Sequence, residues 1–545
     1  MDDEDALSWT SWSGSTWERV LLASGVGNEA DGMVPLNDIT ADVKRALERL
    51  KTSMVRAGMV GGALKGGLNL FALLARARKR GVRRAAATDA VRDTVSFSAF
   101  LVAFAGAYVS VDEGLSLRYG KQRSKSWRAA VAGAVAGPTL LLADGVGRGP
   151  AADPRRHHGL ATYVWLRSLV LLVRCALKRR DDLTETQRRL LAPFASDHAD
   201  VGLMMVSATV ILSCFILKPE ALRGAYASFL DKHGGKSVAH YRAAQRVVSA
   251  ADGEETSAAL AAAADRLYPN DRPARDALLA AAAKDPAAQR AARASFWGLL
   301  LHPGQSALGH AARFWVSSLP RSVAVNLPIY AVPALVVHRG RLLGPDGPKL
   351  ATRAAVGCAR SSAFLSAYCA LAWLGPELVQ RAAGTARPWT VACGVPAAGL
   401  ATFIEKPSRR QELGVYCASR AVEAAALCAV SWGWVPKRVR EWRVDVALFS
   451  LAAASIMHCY NAERDVFRSK YLNVLDFVFG NQGHGRQSVR HVGSAYQLMS
   501  MPSRMASPPS SPPTRVGRRA PRRNHRYADA ESSPDEKDDD TRKGR

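Results

Sequence analysis

Long uncharged runs alternate with short bursts of charge along this chain. Thr94–Val111 passes eighteen residues without a charge, between Asp93 and Asp112. Val201–Leu217, Pro388–Ile404 and Val446–Ala462 run seventeen residues each, Ser322–Val337 and Ser361–Pro376 sixteen, and Ala129–Ala143 fifteen. Three further apolar segments hold charge inside: Ala57–Ala75 with Lys65, Gly159–Val173 with Arg167, and Leu413–Val430 with Arg420 and Glu423. A spanning helix needs about 20 mainly apolar residues, with about 17 as the lower limit. These segments reach it when their flanking Arg and Lys snorkel to the interface. A soluble core helix shows a polar face every turn, and the uncharged runs show none. The pattern predicts an all-α, polytopic membrane protein.

The chain also matches itself. Asp200–Asp231 aligns without gaps on Asp445–Asp476, with ten of 32 positions identical, among them Cys214/Cys459, Arg223/Arg468 and Tyr226/Tyr471. Upstream, Leu160–Ala176 aligns on Leu413–Ala429, pairing Tyr163 with Tyr416, Arg167 with Arg420 and Cys175 with Cys428. Ser98-Ala99-Phe100-Leu101 matches Ser362-Ala363-Phe364-Leu365. Two internally repeated bundles explain this order. Each holds about five spans: roughly 55–75, 94–111, 129–143, 159–177 and 200–217, then 311–337, 361–376, 388–404, 413–431 and 444–460. An odd number of spans per copy places the copies upside down relative to each other.

Domain boundaries follow: a polar N-terminal segment at 1–54, a first membrane repeat at 55–231, a polar, Ala-rich helical linker at 232–299, a second repeat at 300–480, and a tail at 481–545. The tail carries a Ser/Pro run at 507–513, then arginines, then acidic residues, and is expected to be disordered. Its arginines suit an anionic membrane face or plain solubility. Nucleic acid is not an expected partner, since no aromatic interleaving or folded module accompanies them.

Composition changes the picture little. Lys plus Arg number 74 against 47 Asp plus Glu, a formal charge of +27, and apolar residues make up 48%. The mean hydropathy of −0.07 reads as soluble only because it averages segregated stretches. The acidic opening Met1-Asp2-Asp3-Glu4-Asp5 is neither a secretory signal nor a mitochondrial presequence, so any targeting information is expected to be internal. The eight cysteines form no CxxC pair and read as small packing residues. No metal or cofactor site is expected.

No P-loop, GxSxG, HExxH or GxGxxG motif is present, so no catalytic residues are assigned and the chain reads as a non-enzyme. The candidate chemistry is charge inside apolar segments. Arg167 and Arg420 each follow an equivalent tyrosine, Tyr163 and Tyr416, by four residues and so share its helix face. Glu423 stands three residues past Arg420, within pairing reach. A charge at mid-bilayer costs about 2.5–3.5 kcal/mol, so these side chains face the bundle interior or water, as a polar lining or lipid contact. Lys406, Arg409 and Arg410 form a candidate head-group loop. Gly62, Gly66, Gly133, Gly137, Gly394 and Gly399 are candidates for close helix packing.

The second copy, from Leu300-Leu301-His302-Pro303 through Pro320-Arg321-Ser322 to Tyr416–Glu423, resembles the transmembrane protein 135 family (peroxisomal membrane protein 52). The stretch Gly399-Leu400-Ala401-Thr402-Phe403-Ile404-Glu405-Lys406, followed by Leu413-Gly414-Val415-Tyr416 and Arg420-Ala421-Val422-Glu423, carries most of the likeness. That family usually has Lys where Arg420 stands, and it is distantly similar to the mitochondrial inner-membrane translocase channels. The resemblance implies an integral membrane protein of peroxisomes or mitochondria, linked to organelle dynamics and to fatty-acid or sterol handling. It brings no catalytic activity. The expected partners are membrane lipids, fatty acid or sterol, and a second copy of the chain; a translocase-like channel or carrier, with an Arg-lined path between the repeats, is the alternative.

Overall fold

A computed structural model describes residues 36–480, except 71, 74–83, 145–156, 223, 337–341, 343, 437 and 439–441. The expected disordered tail, with its Arg-rich and acidic runs, lies outside the described residues. Within them the chain is helical throughout, with no strand.

Helix α1 (Leu36–Gly61) runs into a π-helical turn at Gly62–Gly66. It is followed by α2 (Arg84–Tyr119), α3 (Arg128–Ala136) with a 3₁₀ extension (Gly137–Asp144), α4 (His158–Lys178), α5 (Glu185–Ala195) and α6 (Ala199–Leu217). A 3₁₀ turn at Pro219–Ala221 leads to α7 (Gly224–Gly234). Five shorter helices follow: α8 (Val238–Ser249), α9 (Glu254–Leu267), α10 (Arg272–Ala282), α11 (Pro286–Ala292) and α12 (Phe296–Leu301). Then come α13 (Ala307–Val336), α14 (Gly347–Ala383), α15 (Pro388–Gly394) with a 3₁₀ extension (Val395–Ile404), and α16 (Pro407–Ser431). The described chain closes with α17 (Val444–Ala462), a 3₁₀ turn at Arg464–Val466 and α18 (Ser469–Phe479).

Six of these helices, α2, α4, α6, α14, α16 and α17, are long and apolar enough to cross a membrane. The fold is that of a multi-span helical membrane protein. Two expected spans are shorter apolar helices, Arg128–Ala143 and Pro388–Ile404. Both change from α to 3₁₀ winding part-way. At about 2.0 Å per residue in place of 1.5, that stretch lets each reach about 30 Å, the hydrocarbon thickness.

The expected spans 55–75 and 311–337 fall on α1 with its continuation and on α13, and neither is among the six. Helix α1 starts at Leu36, inside the segment expected to be polar. Its charges are not loop residues: Arg49 pairs with Asp112 and Glu113 of α2, which offsets the burial of an arginine.

One succession of elements occurs twice. Helices α6 and α17 have 19 residues each, each is followed by a three-residue 3₁₀ turn, and α7 and α18 have 11 each. Helices α2 and α14 match at 36 and 37 residues, and each precedes an α-to-3₁₀ helix.

Packing is reciprocal between the two series. Helix α17 packs on α4 and on α3 with its 3₁₀ extension, while α6 packs on α16 and on the 3₁₀ extension of α15. Each final long helix is thus seated in the other series.

Residue contacts give the directions. Cys175 meets Cys459, and Lys178 meets Glu463, while Ala161 and Phe449 share one apolar cluster, so α4 and α17 run parallel. Cys214 meets Cys428, and Gly414 lies against Asp200, so α6 and α16 also run parallel. Helix α4 runs against α16, because Arg420 packs on Gly159 while Arg174 bonds Gln411.

Helices α8–α12, expected as a polar linker, form a folded unit at one end of α14. Leu260, Leu278, Phe296, Trp297 and Leu300 are fully buried in its core. Arg293, 1% exposed, donates to the carbonyls of Val247, Ala250 and Ala386 and pairs with Asp252, so its charge is fully engaged.

Four of the six candidate packing glycines stand at tight helix contacts. A Cβ at Gly137 would lie 2.5 Å from Ser450 Cα, and one at Gly399 would lie 2.7 Å from Met205 Cα. A Cβ at Gly133 would lie 2.6 Å from the Ala453 carbonyl oxygen, and one at Gly394 would lie 2.6 Å from the Gly375 carbonyl carbon. A Cβ at Gly66 would lie 3.3 Å from Thr94 Cγ2, whereas one at Gly62 would find only Ser98 Oγ at 3.9 Å. The close approach of that helix is at Gly61, where a Cβ would lie 2.8 Å from Ser98 Cα.

Candidate functional site

The repeated tyrosine and arginine positions come together as two clusters, each built from both series. On α4, Tyr163 OH accepts from Arg167 Nε at 3.0 Å and Nη2 at 2.6 Å. The Arg167 guanidinium lies 5.1 Å from the ring centres of both Tyr163 and Tyr471, the latter on α18. On α16, Arg420 stands 5.7 Å from the Tyr416 ring and pairs with Glu423 at 2.9 Å. Tyr226 of α7 packs edge-on against Tyr416, with ring centres 6.4 Å apart. A guanidinium over an aromatic face is attracted by the ring quadrupole, so the tyrosine rings hold each cation in partly dry surroundings, and only the Arg420 cluster adds a carboxylate, Glu423, that neutralises it.

The second cluster borders a partly open cavity of about 30 Å³, lined by Leu222, Tyr226, Arg420, Glu423, Ala424 and Leu427 among others. That holds one or two water-sized groups, not an acyl chain. Arg420 Nε is buried there with no hydrogen-bond partner, so the site has an unused donor.

The first cluster is richer in charge. Arg174, seven residues after Arg167, donates to Gln411 at 2.7 Å and to the Val466 carbonyl at 3.0 Å. Arg468 donates to the Ser408 carbonyl at 2.7 Å, bonds Gln411 and lies 3.4 Å from Glu412. Burial, and next the Arg167 guanidinium, push Arg468 below the usual arginine range. The two clusters do not merge: Arg420 packs on Gly159, about 12 Å along α4 from Arg167.

The candidate head-group loop is occupied differently. Arg409 bonds the Tyr330 hydroxyl and lies 3.6 Å from the buried Glu405, while Arg410 donates to the carbonyls of Phe403 and Glu405. Both guanidiniums hold the end of the preceding 3₁₀ segment, and Lys406 is the exposed cation of the three.

The sequence does not mark Arg174, Gln411, Arg468, Tyr471 and Tyr226 as site residues. Three of them stood in plain sight, since Arg468, Tyr471 and Tyr226 are identities of the internal alignment. Two buried acids were also missed. Asp112 bonds Arg128 at 3.0 Å and Arg49 at 2.9 Å, and Glu377 meets His302 at 2.7 Å and Arg381 at 2.6 Å. Among the described residues no group of three His, Cys, Asp or Glu is placed to hold a metal ion.

Fold and clusters define a class, a multi-span helical membrane protein with arginines held against tyrosine rings at helix crossings. Comparison with protein-family models, characterised proteins and solved structures finds no match.

Proposed function

We propose that this protein resides in a peroxisomal or mitochondrial membrane and has a non-enzymatic role in lipid handling or organelle dynamics. Its frame is an inverted pair of five-helix repeats that exchange their last long helix. The observation that carries the reading is the duplicated Tyr–Arg–Tyr cluster, assembled each time from both series. A cation at such depth is costly and normally faces a polar ligand, a cavity or water. Fatty acid, sterol or a lipid head group would supply that polar partner, in line with the resemblance to the transmembrane protein 135 family. Because the cavity at Arg420 is too small for an acyl chain, the chain of a bound lipid would lie along the helix surface.

A translocase-like channel or carrier is the second reading, favoured by the placement of Arg167 and Arg420 on facing, antiparallel helices. Protein purified into liposomes separates the two. Lipid transfer between vesicles, reduced in the Arg167→Ala plus Arg420→Ala variant and without conductance, supports the first. Voltage-dependent conductance lost in that variant supports the second, and neither activity would overturn both.

A further inference from the structure

The two clusters are counterparts in position but not in charge. At the positions of Glu423 and Leu427 on α16, helix α4 carries Val170 and Arg174. One cluster has therefore gained a guanidinium and does without the carboxylate that neutralises the other. Around it stand Arg167, Arg174 and Arg468, with Glu412 as the ion-pair partner of Arg468 and Asp200 close enough to act on it electrostatically. Arg167 and Arg174 themselves hold neutral acceptors, the Tyr163 hydroxyl, Gln411 Oε1 and the Val466 carbonyl. Neutral acceptors satisfy hydrogen-bonding geometry but leave the charge, and partly buried charges are normally paired.

The depth suits a particular anion. Arg174 lies one turn before the end of α4, and Arg468 follows the 3₁₀ turn that ends α17. Just beyond, Lys178 and Arg179 pair with Glu463. Arg167 sits about 10 Å deeper than Arg174. The guanidiniums thus line a path from the helix ends toward the apolar interior, the zone where lipid head groups meet their chains. Guanidinium forks match the oxygens of a phosphate, and the Tyr163 hydroxyl, which accepts from Arg167 and also hydrogen-bonds Tyr471, stands beside them.

We propose that Arg167, Arg174 and Arg468, with Tyr163 and Gln411, form a binding site for a phosphate group, either free or on a lipid. This rests on the membrane reading and on the Tyr–Arg clusters as contact sites. It assigns the ligand class to one cluster and denies it to the other, where Glu423 already supplies the negative charge.

The test uses full-length, detergent-solubilised protein, with the thermal unfolding midpoint followed against inorganic phosphate, dioctanoyl phosphatidic acid and dioctanoylglycerol. Phosphatidic acid is expected to raise the midpoint, and dioctanoylglycerol is not. A rise with inorganic phosphate as well identifies the free anion as sufficient; a rise with phosphatidic acid alone identifies the lipid as the source. Arg174→Leu, which copies Leu427, should weaken the response about tenfold, as expected for charge-assisted bonds lost to an anion. Val170→Glu, which copies Glu423 and leaves Arg167, Arg174 and Arg468 in place, should abolish it, so the proposal stays testable if Arg174→Leu folds poorly. Arg189→Leu, an exposed charge on α5, should change nothing. The site is overturned if neither phosphate compound shifts the midpoint, or if Val170→Glu responds like the parent. An equal rise with dioctanoylglycerol overturns it too, while leaving lipid handling intact.

Discussion

The sulfur of Cys175 lies 3.8 Å from that of Cys459, joining the fourth long helix of one series to the last long helix of the other. Cys428 and Cys214 repeat the contact at 3.7 Å with the series exchanged. Closing either pair to a disulfide needs a shift of about 2 Å. Diamide, which takes up the two thiol hydrogens, should therefore link the halves of the chain. With a protease site inserted in the exposed turn at Pro269–Asn270, the cut halves should migrate together without reductant and apart with it. Variants retaining one pair at a time should behave alike. Separation under all conditions would contradict the exchanged packing.

Gly137 and Gly399 are each pressed against the backbone of the partner series, so neither contact can be relieved by a side-chain rotation. Gly399→Ala and Gly137→Ala should each lower stability in detergent by about 1–3 kcal/mol, the usual cost of overpacking. A Cβ added at Gly202 would meet nothing within 4 Å, and Gly202→Ala should be neutral or slightly stabilising. Thermal unfolding of the three variants side by side checks this.

Asp112 is 2% exposed and holds two arginines. Asp112→Asn leaves Arg128 and Arg49 facing a neutral amide and should cost about 3–5 kcal/mol. Glu113→Gln, at the rim with a side chain 21% exposed, should cost less than half of that. Equal losses would place both acids in the same environment and contradict the burial.

Acid should weaken the unit formed by α8–α12 and its neighbours. Burial holds His233 and His240 below the ordinary histidine value, and the adjacent Lys232 and Lys236 push the same way. The unfolded chain then binds more protons than the folded one between the two values. The stability these groups contribute is full above about pH 6.5 and declines as pH falls below it. Unfolding midpoints at pH 7.5 and 5.5 should differ, and the difference should shrink in a His233→Gln plus His240→Gln variant.

Opposed directions of the two series can be read from outside the membrane. Single cysteines in the turns at 120–127 and 384–387, which close α2 and α14, should be labelled by an impermeant maleimide from opposite faces. Labelling from one face would exclude inversion.

Much of the helical frame was legible because hydrocarbon solvent leaves a coarse mark, long runs without charge. Thr94–Val111 and Val201–Leu217 fall inside α2 and α6 for that reason. The start of α1 was not legible, since Arg49 and its neighbours look like loop residues until Asp112 and Glu113 are seen across from them. Pairing between distant charges leaves no local pattern in a sequence. The same limit hid Arg174: it follows Arg167 by two turns on the same helix, but its partner Gln411 comes from another element. Tyr163, Arg167, Tyr416 and Arg420 were visible through the internal alignment, which records position without saying which helices touch.

The seating of α6 among helices of the later series has a consequence for biogenesis. When Leu217 leaves the ribosome, the polypeptide up to Pro407 must still be made before α16 exists to receive it. At about 5–20 residues per second that is a wait of roughly 10 to 40 seconds. Throughout that interval the nascent first half carries an unclaimed apolar helix, which insertion machinery or lipid has to shelter until its berth is synthesised.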